Sequence, residues 1–204
     1  MMLFPFYRDI EEMTFLIVGG GAVAAEKLEK VRQFTDRILV IAPETVITDW
    51  EVIRRPFADE DLDLCDVCIV ATDDRALNAH IAGLCNEKKL PVNVVDDREL
   101  CSFIFPSLIK RGDLTVSITT GGKSPLYART LRREIEAIVP DHIEEILDRM
   151  HALRRYVPAM VPDQKDRKVL YGRILETLLA DDNRTTDEEI QAMIQSVSRG
   201  TSFI

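Results

Sequence analysis

The chain has 204 residues, 46% hydrophobic and 30% charged, with 9 Gly and 9 Pro, which excludes disorder, a collagen-like repeat and a disulfide scaffold. That length predicts one large domain or two small ones, burying roughly 70% of the unfolded surface. A net charge of −9 argues against a nucleic-acid or anionic-membrane binder, so an anionic ligand needs a local basic cluster.

Met13 to Val18 is a continuous apolar run stopped by Gly19-Gly20-Gly21, which suits a strand buried on both faces of a parallel sheet. Ala22 to Phe34 turns helical, with Ala24, Leu28 and Val31 on one stripe. Arg37 to Ala42 is a second buried strand ended by Pro43, and Trp50 to Arg54 a short third. Asp66 to Ala71 follows, ending in Thr72-Asp73-Asp74. A helix carrying Leu77, Ile81, Leu84 and Cys85 on one face leads to Pro91 to Val95 and then Asp96-Asp97. This alternation predicts an α/β, Rossmann-like parallel sheet.

Beyond Leu100 the pattern changes. Ser107 to Ile109 and Leu114 to Thr119 flank a turn at Lys110-Arg111-Gly112-Asp113. Ser124-Pro125 starts a helix that runs to Val139. Helices are then predicted over Asp141 to Tyr156 and Gln164 to Leu179, separated by a loop containing Pro158 and Pro162. Thr186 and Glu189 make a capping box for a last short helix, in a polar tail from Asp181 expected to be partly mobile. The expected organisation is a nucleotide-binding domain over 1–106, a small β-containing dimerisation and substrate segment over 107–140, and a C-terminal helical domain over 141–204.

Gly19-x-Gly21-x-x-Ala24 between strand and helix is a dinucleotide fingerprint. The first glycine permits the turn, the second lets backbone approach a pyrophosphate, and the small third residue lets helix pack on strand. Glu44, past the second strand, is the candidate ribose-binding acid; no Lys or Arg follows it closely, which favours NAD over NADP. Thr72-Asp73-Asp74 and Asp96-Asp97 lie past strand ends, at the edge where open α/β sheets bind ligands, and any of the four Asp could serve as a base.

Other patterns carry no chemistry. Gly122-Lys123-Ser124 lacks the earlier glycine of a phosphate loop, where Ser117 stands, and Pro125 follows it. Cys65-x-x-Cys68 without a second pair reads as core packing; a strand reaching back to Cys65 would put the two thiols on opposite faces. His80, His142 and His151 lack metal-ligand spacing, and no metal site is expected. The four cysteines read as reduced thiols, and no apolar run near the N-terminus is long enough for a leader or a span. A soluble, cytoplasmic protein is expected.

The segments GGGAVAAEK (19–27), ATDD (71–74), NVVDD (93–97), SFIFPSLIKRGDLTVSITTGGKSP (102–125) and ARTLRREIE (128–136) together resemble the precorrin-2 dehydrogenases, the NAD-dependent part of siroheme synthases. The resemblance covers about residues 1 to 145. It implies oxidation of precorrin-2, a tetrapyrrole with eight carboxylates, to sirohydrochlorin, and in some members ferrous iron insertion. It implies Asp96 as the catalytic residue, and cofactor contacts at Gly19, Gly20, Gly21, Ala22, Val23, Pro43, Glu44, Thr72 and Asp73. Substrate contacts are implied at Asn93, Thr120, Gly121, Lys123, Ser124 and Arg129. It also implies a homodimer, and the length is that of a stand-alone dehydrogenase without a methyltransferase half. Glu26-Lys27 departs from the family's frequent Arg-Lys, and Thr120 replaces a frequent Ser.

The substrate's charge calls for the basic residues Lys110, Arg111, Lys123, Arg129, Arg132 and Arg133, although Arg132 and Arg133 also suit a solvated helix face. The alternatives to a simple dehydrogenase are a bifunctional dehydrogenase and ferrochelatase, and a non-enzymatic NAD-sensing module.

Overall fold

The computed structural model describes residues 3–198. The chain divides into two compact units, Met1–Phe105 and Pro106–Ile204.

In the first unit, β1 (Phe15–Val18), β2 (Ile38–Ile41), β3 (Val67–Val70) and β4 (Val92–Val94) form a parallel sheet in the order β2-β1-β3-β4. Val18 is level with Ile41 on one side and Val70 on the other, and Val70 with Val94, so all four strands end together. The helices are α1 (Ala22–Val31) and α2 (Arg75–Lys88).

The apolar runs are continuous because both sheet faces are covered. Ile17, Val40 and Ile69 pack with Ala24, Leu28 and Val31 of α1, whereas Leu16, Val18, Cys68 and Val70 pack with Ile81, Ala82 and Cys85 of α2. Each fully buried Leu or Ile contributes about 1.5–3 kcal/mol of transfer free energy. Asp61 is buried in a 3-10 turn over Asp59–Leu64; it accepts from Arg55 at 2.7 and 2.5 Å and from the Ala58 N–H at 2.8 Å.

One expectation in this unit needs correction, and the core packing expected of Cys65 and Cys68 holds. The predicted strand over Trp50 to Arg54 is a single parallel bridge between Ile41 and Ile53, because only Ile53 exchanges backbone bonds with Val40 and Ala42. Cys65 lies outside β3, which begins at Val67. Its thiol therefore packs against the same core as Cys68 rather than on the opposite face. All four cysteines are free, and burial pushes the Cys65 thiol up to about 12.

The second unit begins with an antiparallel hairpin, β5 (Ser107–Arg111) and β6 (Leu114–Ile118), turned by Gly112-Asp113 with Gly112 at φ +52°. Four helices follow: α3 (Pro125–Ile138), α4 (Ile143–Met160), α5 (Gln164–Ala180) and α6 (Asp187–Ser198). The last three share a core of Ile146, Leu153, Val157, Leu170, Ile174, Leu178, Ile190 and Ile194.

Here too the structure overrides local signals. α4 runs through Pro158 instead of breaking before it. Proline removes one hydrogen bond near the helix end, but Val157 and Val161 are buried and the Val161 N–H still bonds the Val157 carbonyl at 2.9 Å. The tail from Asp181 is not loose as far as Ser198, since Ile190 and Ile194 of α6 are buried; the rest of that expectation falls on 199–204, outside the described residues. The Thr186 hydroxyl accepts from the Glu189 N–H at 3.2 Å and the Glu189 carboxylate from the Thr186 N–H at 2.7 Å, the reciprocal capping box.

Candidate active site

β1 and β3 are neighbours, yet their following helices lie on opposite faces of the sheet. A crevice opens where the chain departs in two directions, and ligands of open α/β sheets bind there. A cleft of about 760 Å³ occupies it, lined by Gly19, Gly20, Gly21, Ala22, Val23, Pro43, Glu44, Thr72 and Asp73 among others. The nine expected cofactor positions therefore meet in one place.

The glycines have separate reasons. Gly19 sits at φ +125°, and a Cβ there would stand 2.2 Å from the Ala71 carbonyl oxygen. A Cβ on Gly20 would stand 2.1 Å from the Glu44 oxygen, and the Gly20 carbonyl accepts the Val46 N–H at 2.9 Å, closing the loop after β2 against the turn. Gly21 is different, since nothing lies within 4 Å of its absent Cβ. It is the N-cap of α1, with no side-chain cap and no acidic residue in the first turn. Its open side and the uncapped N–H groups fit a phosphate, which would receive the hydrogen bonds and the favourable end of the helix dipole. Ala24 is fully buried, which lets α1 close on the sheet. These residues fit a dinucleotide.

A second cleft of about 440 Å³ adjoins the first through Val23, Ala71, Thr72 and Asp73, and reaches Asp96, Asp97, Arg75 and Arg98 at the ends of β3 and β4. The structure separates the four strand-end aspartates. Asp74 caps α2, accepting from the Ala76 and Leu77 N–H groups at 2.9 and 3.0 Å. Asp97 accepts the Glu99 N–H at 3.2 Å in the loop after β4. Asp73 and Asp96 are exposed to the clefts. Asp96 also has φ +60°, a conformation that Asp tolerates better than most residues.

Two expected contact residues are engaged within the protein. The Thr72 hydroxyl donates to Asn78 Oδ1 at 2.5 Å, and Asn78 Nδ2 donates to the Thr72 carbonyl at 2.9 Å, fixing the loop after β3. Asn93 is buried, its Nδ2 donating to the Phe103 carbonyl at 3.0 Å. Sequence reasoning did not single out Arg75, Arg98 or Asn78, and Lys27 entered only within a motif. The Lys27 ammonium lies 4.8 Å from the Phe105 ring centroid; burial, with Lys30 beside it, lowers its pKa while Glu26 and, less strongly, Asp96 oppose that shift.

In the second unit, Thr120, Gly121, Lys123 and Ser124 form the connection from β6 to α3, with Arg129 on the first turns of that helix. Gly121 and Gly122 have φ +62° and +80°, a path that other residues rarely take. The Thr120 hydroxyl accepts the Ser124 N–H at 3.0 Å, and the Ser124 hydroxyl accepts the Tyr127 N–H at 3.2 Å. The expected basic cluster is only partly available. Lys110 bonds the Gly112 carbonyl, Arg111 bonds the Val139 carbonyl and Asp141, and Arg132 pairs with Glu136 at 2.5 Å. Lys123, Arg129 and Arg133 are exposed. Among the described residues no three His, Cys, Asp or Glu side chains gather to hold a metal, and no helix is long and apolar enough to cross a membrane.

Residues 6–107 match a family model described as "Putative NAD(P)-binding", and residues 111–138 match one described as "Sirohaem biosynthesis protein central". A siroheme synthase of Thioalkalivibrio sulfidiphilus is 38% identical over 184 residues, 86% of this chain and 38% of that protein. A siroheme synthase of Pseudomonas fluorescens is 31% identical over 215 residues, 99% of this chain and 46% of that protein. The chain thus spans less than half the length of either relative. The solved structure titled "SirC, precorrin-2 dehydrogenase" has the same fold, with a TM-score of 0.71 at 21% identity, covering 97% of this chain and 100% of that one.

Proposed function

This chain belongs to the NAD(P)-binding family matched over residues 6–107, and we propose that it is a precorrin-2 dehydrogenase that oxidises precorrin-2 to sirohydrochlorin with NAD. The observation that carries this reading is Asp96, an exposed carboxylate in a cleft continuous with the one built for a dinucleotide. Bound at Gly19–Val23, the cofactor supplies the hydride acceptor. Asp96 takes the proton released as the macrocycle loses a hydride, so that two hydrogens leave and one new double bond forms. Thr72 and Asn78 hold the loop between the two clefts, and Asp73 sits at their junction.

NAD rather than NADP is favoured by charge. The lining of the larger cleft includes Glu44, Asp73 and Asp74 and no Lys or Arg, so a ribose 2′-hydroxyl suits it and a 2′-phosphate does not. Residues 1–106 are assigned to the cofactor, 107–140 to pairing with a second copy and to substrate, and 141–204 to a helical domain. Thr120, Gly121, Lys123, Ser124 and Arg129 are assigned to the substrate, whereas Asn93, buried and bonded to the Phe103 carbonyl, is assigned to holding the end of β4. The protein is assigned to the cytoplasm as a homodimer.

The test is an anaerobic absorbance assay with precorrin-2 and NAD, followed by ferrous iron. The sirohydrochlorin spectrum should develop only with NAD. Acceleration of the later iron step over a protein-free control would make the protein bifunctional, with iron as its second substrate. Unchanged spectra in a protein that still binds NAD would sink the dehydrogenase reading in favour of an NAD-sensing module.

A further inference from the structure

We infer that Arg75 and Arg98 grip carboxylates of the substrate and fix which edge of the macrocycle faces Asp96. The inference rests on the reading of this cleft as the site for a polycarboxylate tetrapyrrole, and it assigns a role to two residues outside the family's motifs.

Arg32, Arg37, Arg55, Arg111, Arg132 and Arg149 meet carboxylates, whereas Arg8, Arg54, Arg129, Arg133, Arg154, Arg155 and Arg167 make no ion pair among the described residues and line neither cleft. Arg75 and Arg98 line a cleft together with Asp73, Asp96 and Asp97, yet neither makes an ion pair among the described residues. Two guanidiniums left over beside three carboxylates are placed for a ligand.

Local electrostatics give a second reason. Arg75 is the first residue of α2, where the helix dipole disfavours a cation, and no acidic residue follows it in the first turn. The acid that stabilises this helix start is the N-cap Asp74, so Arg75 is not needed for it. Arg98 follows the left-handed turn at Asp96, next to Asp97, whose carboxylate is engaged by the Glu99 N–H. Arg75 opens the helix that follows β3 and Arg98 lies in the loop after β4, and β3 and β4 are adjacent strands. The two arginines therefore flank one sheet edge, the edge that also carries Asp96.

Guanidinium suits this task better than ammonium, because its planar fork binds a carboxylate through two parallel hydrogen bonds and so fixes direction as well as position. A macrocycle with carboxylates around its rim, held at two of them, can present only one edge to Asp96. Orientation then comes from the rim, and chemistry from the centre of the cleft.

The experiment compares the full-length wild type with Arg75→Gln, Arg98→Gln, the double variant and Arg75→Lys/Arg98→Lys. Readouts are fluorescence titration with an octacarboxylate porphyrin, NAD affinity, thermal stability, and KM and kcat for precorrin-2. Each single Gln variant should weaken porphyrin binding about three- to tenfold, and the double variant by roughly the product. The change in turnover should fall mainly on KM. The Lys pair should recover only part of the loss, and a dicarboxylate porphyrin should lose much less. Unchanged porphyrin affinity and KM in the double variant would overturn the inference, as would a loss confined to kcat. If the wild type binds the porphyrin through these arginines but does not oxidise precorrin-2, the carboxylate subsite stands and the dehydrogenase reading falls.

Discussion

The Ala71 carbonyl oxygen occupies the space that a Cβ on Gly19 would need, 2.2 Å from it, so the turns after β1 and β3 can meet only around a glycine. Gly19→Ala places the methyl against backbone and holds alanine at φ +125°, at a cost of about 2–4 kcal/mol. Gly21→Ala meets no atom and should cost less than about 1 kcal/mol as an N-cap change. Its methyl nevertheless fills the space offered to the phosphate, and NAD affinity should fall about tenfold or more. Calorimetric unfolding and NAD titration separate the two effects. Gly21→Ala with wild-type affinity would disprove the phosphate contact.

Asp96→Asn tests the base without disturbing the backbone, because Asn also tolerates the left-handed conformation that Asp96 adopts at φ +60°. Turnover should fall about 10²–10⁴-fold, with NAD affinity and melting temperature held. Asp74→Ala is the contrasting case. Its carboxylate caps α2, so the variant should lose about 1 kcal/mol of stability while turnover per folded molecule changes far less. Equal rate losses in the two variants would remove Asp96 from its special role.

The sequence makes the strands and the first turn readable because each local signal agrees with its tertiary setting. Phe15–Val18 is apolar throughout and is covered on both faces, while Ala24, Leu28 and Val31 share one stripe and are all buried. Pro158 misleads because its cost is local, whereas the burial of Val157 comes from α5 and α6. Lys110, Arg111 and Arg132 look available in sequence. Arg111, however, is engaged by Val139, 28 residues away, a pairing that only the folded chain supplies. Arg75 and Arg98 carry no motif and become visible only once β3 and β4 are adjacent. The four strand-end aspartates are equivalent in spacing, and hydrogen bonding alone distinguishes Asp74 and Asp97 from Asp73 and Asp96.

Asp61 gives the first unit an acid-sensitive anchor. The Arg55 guanidinium, aided by the Ala58 N–H, holds its pKa below the ordinary 3.8 against the opposing effect of burial. A depressed carboxylate adds stability above its unfolded pKa and loses that contribution as pH falls through the folded value. The difference in urea midpoint between wild type and Asp61→Asn should therefore be full at neutral pH and shrink progressively below about 3.8. A difference that stays constant down to pH 2 would mean that the ionised pair is not what stabilises this turn.

The helices of the second unit test whether the core or the cap anchors α6. Ile174 is fully buried in α5, and Ile174→Ala removes three carbons from a core shared with α4 and α6, for a loss of about 2–5 kcal/mol. Thr186→Ala breaks only one half of the capping box and should cost about 1 kcal/mol. The packing of Ile190 and Ile194 is untouched by that change, so α6 should stay docked and the helical circular dichroism at 25 °C should equal that of the wild type. The comparison is decisive in its order. A larger loss from Thr186→Ala than from Ile174→Ala, or loss of helical signal in the cap variant, would mean that α6 is held by its N-terminal hydrogen bonds and not by its apolar face.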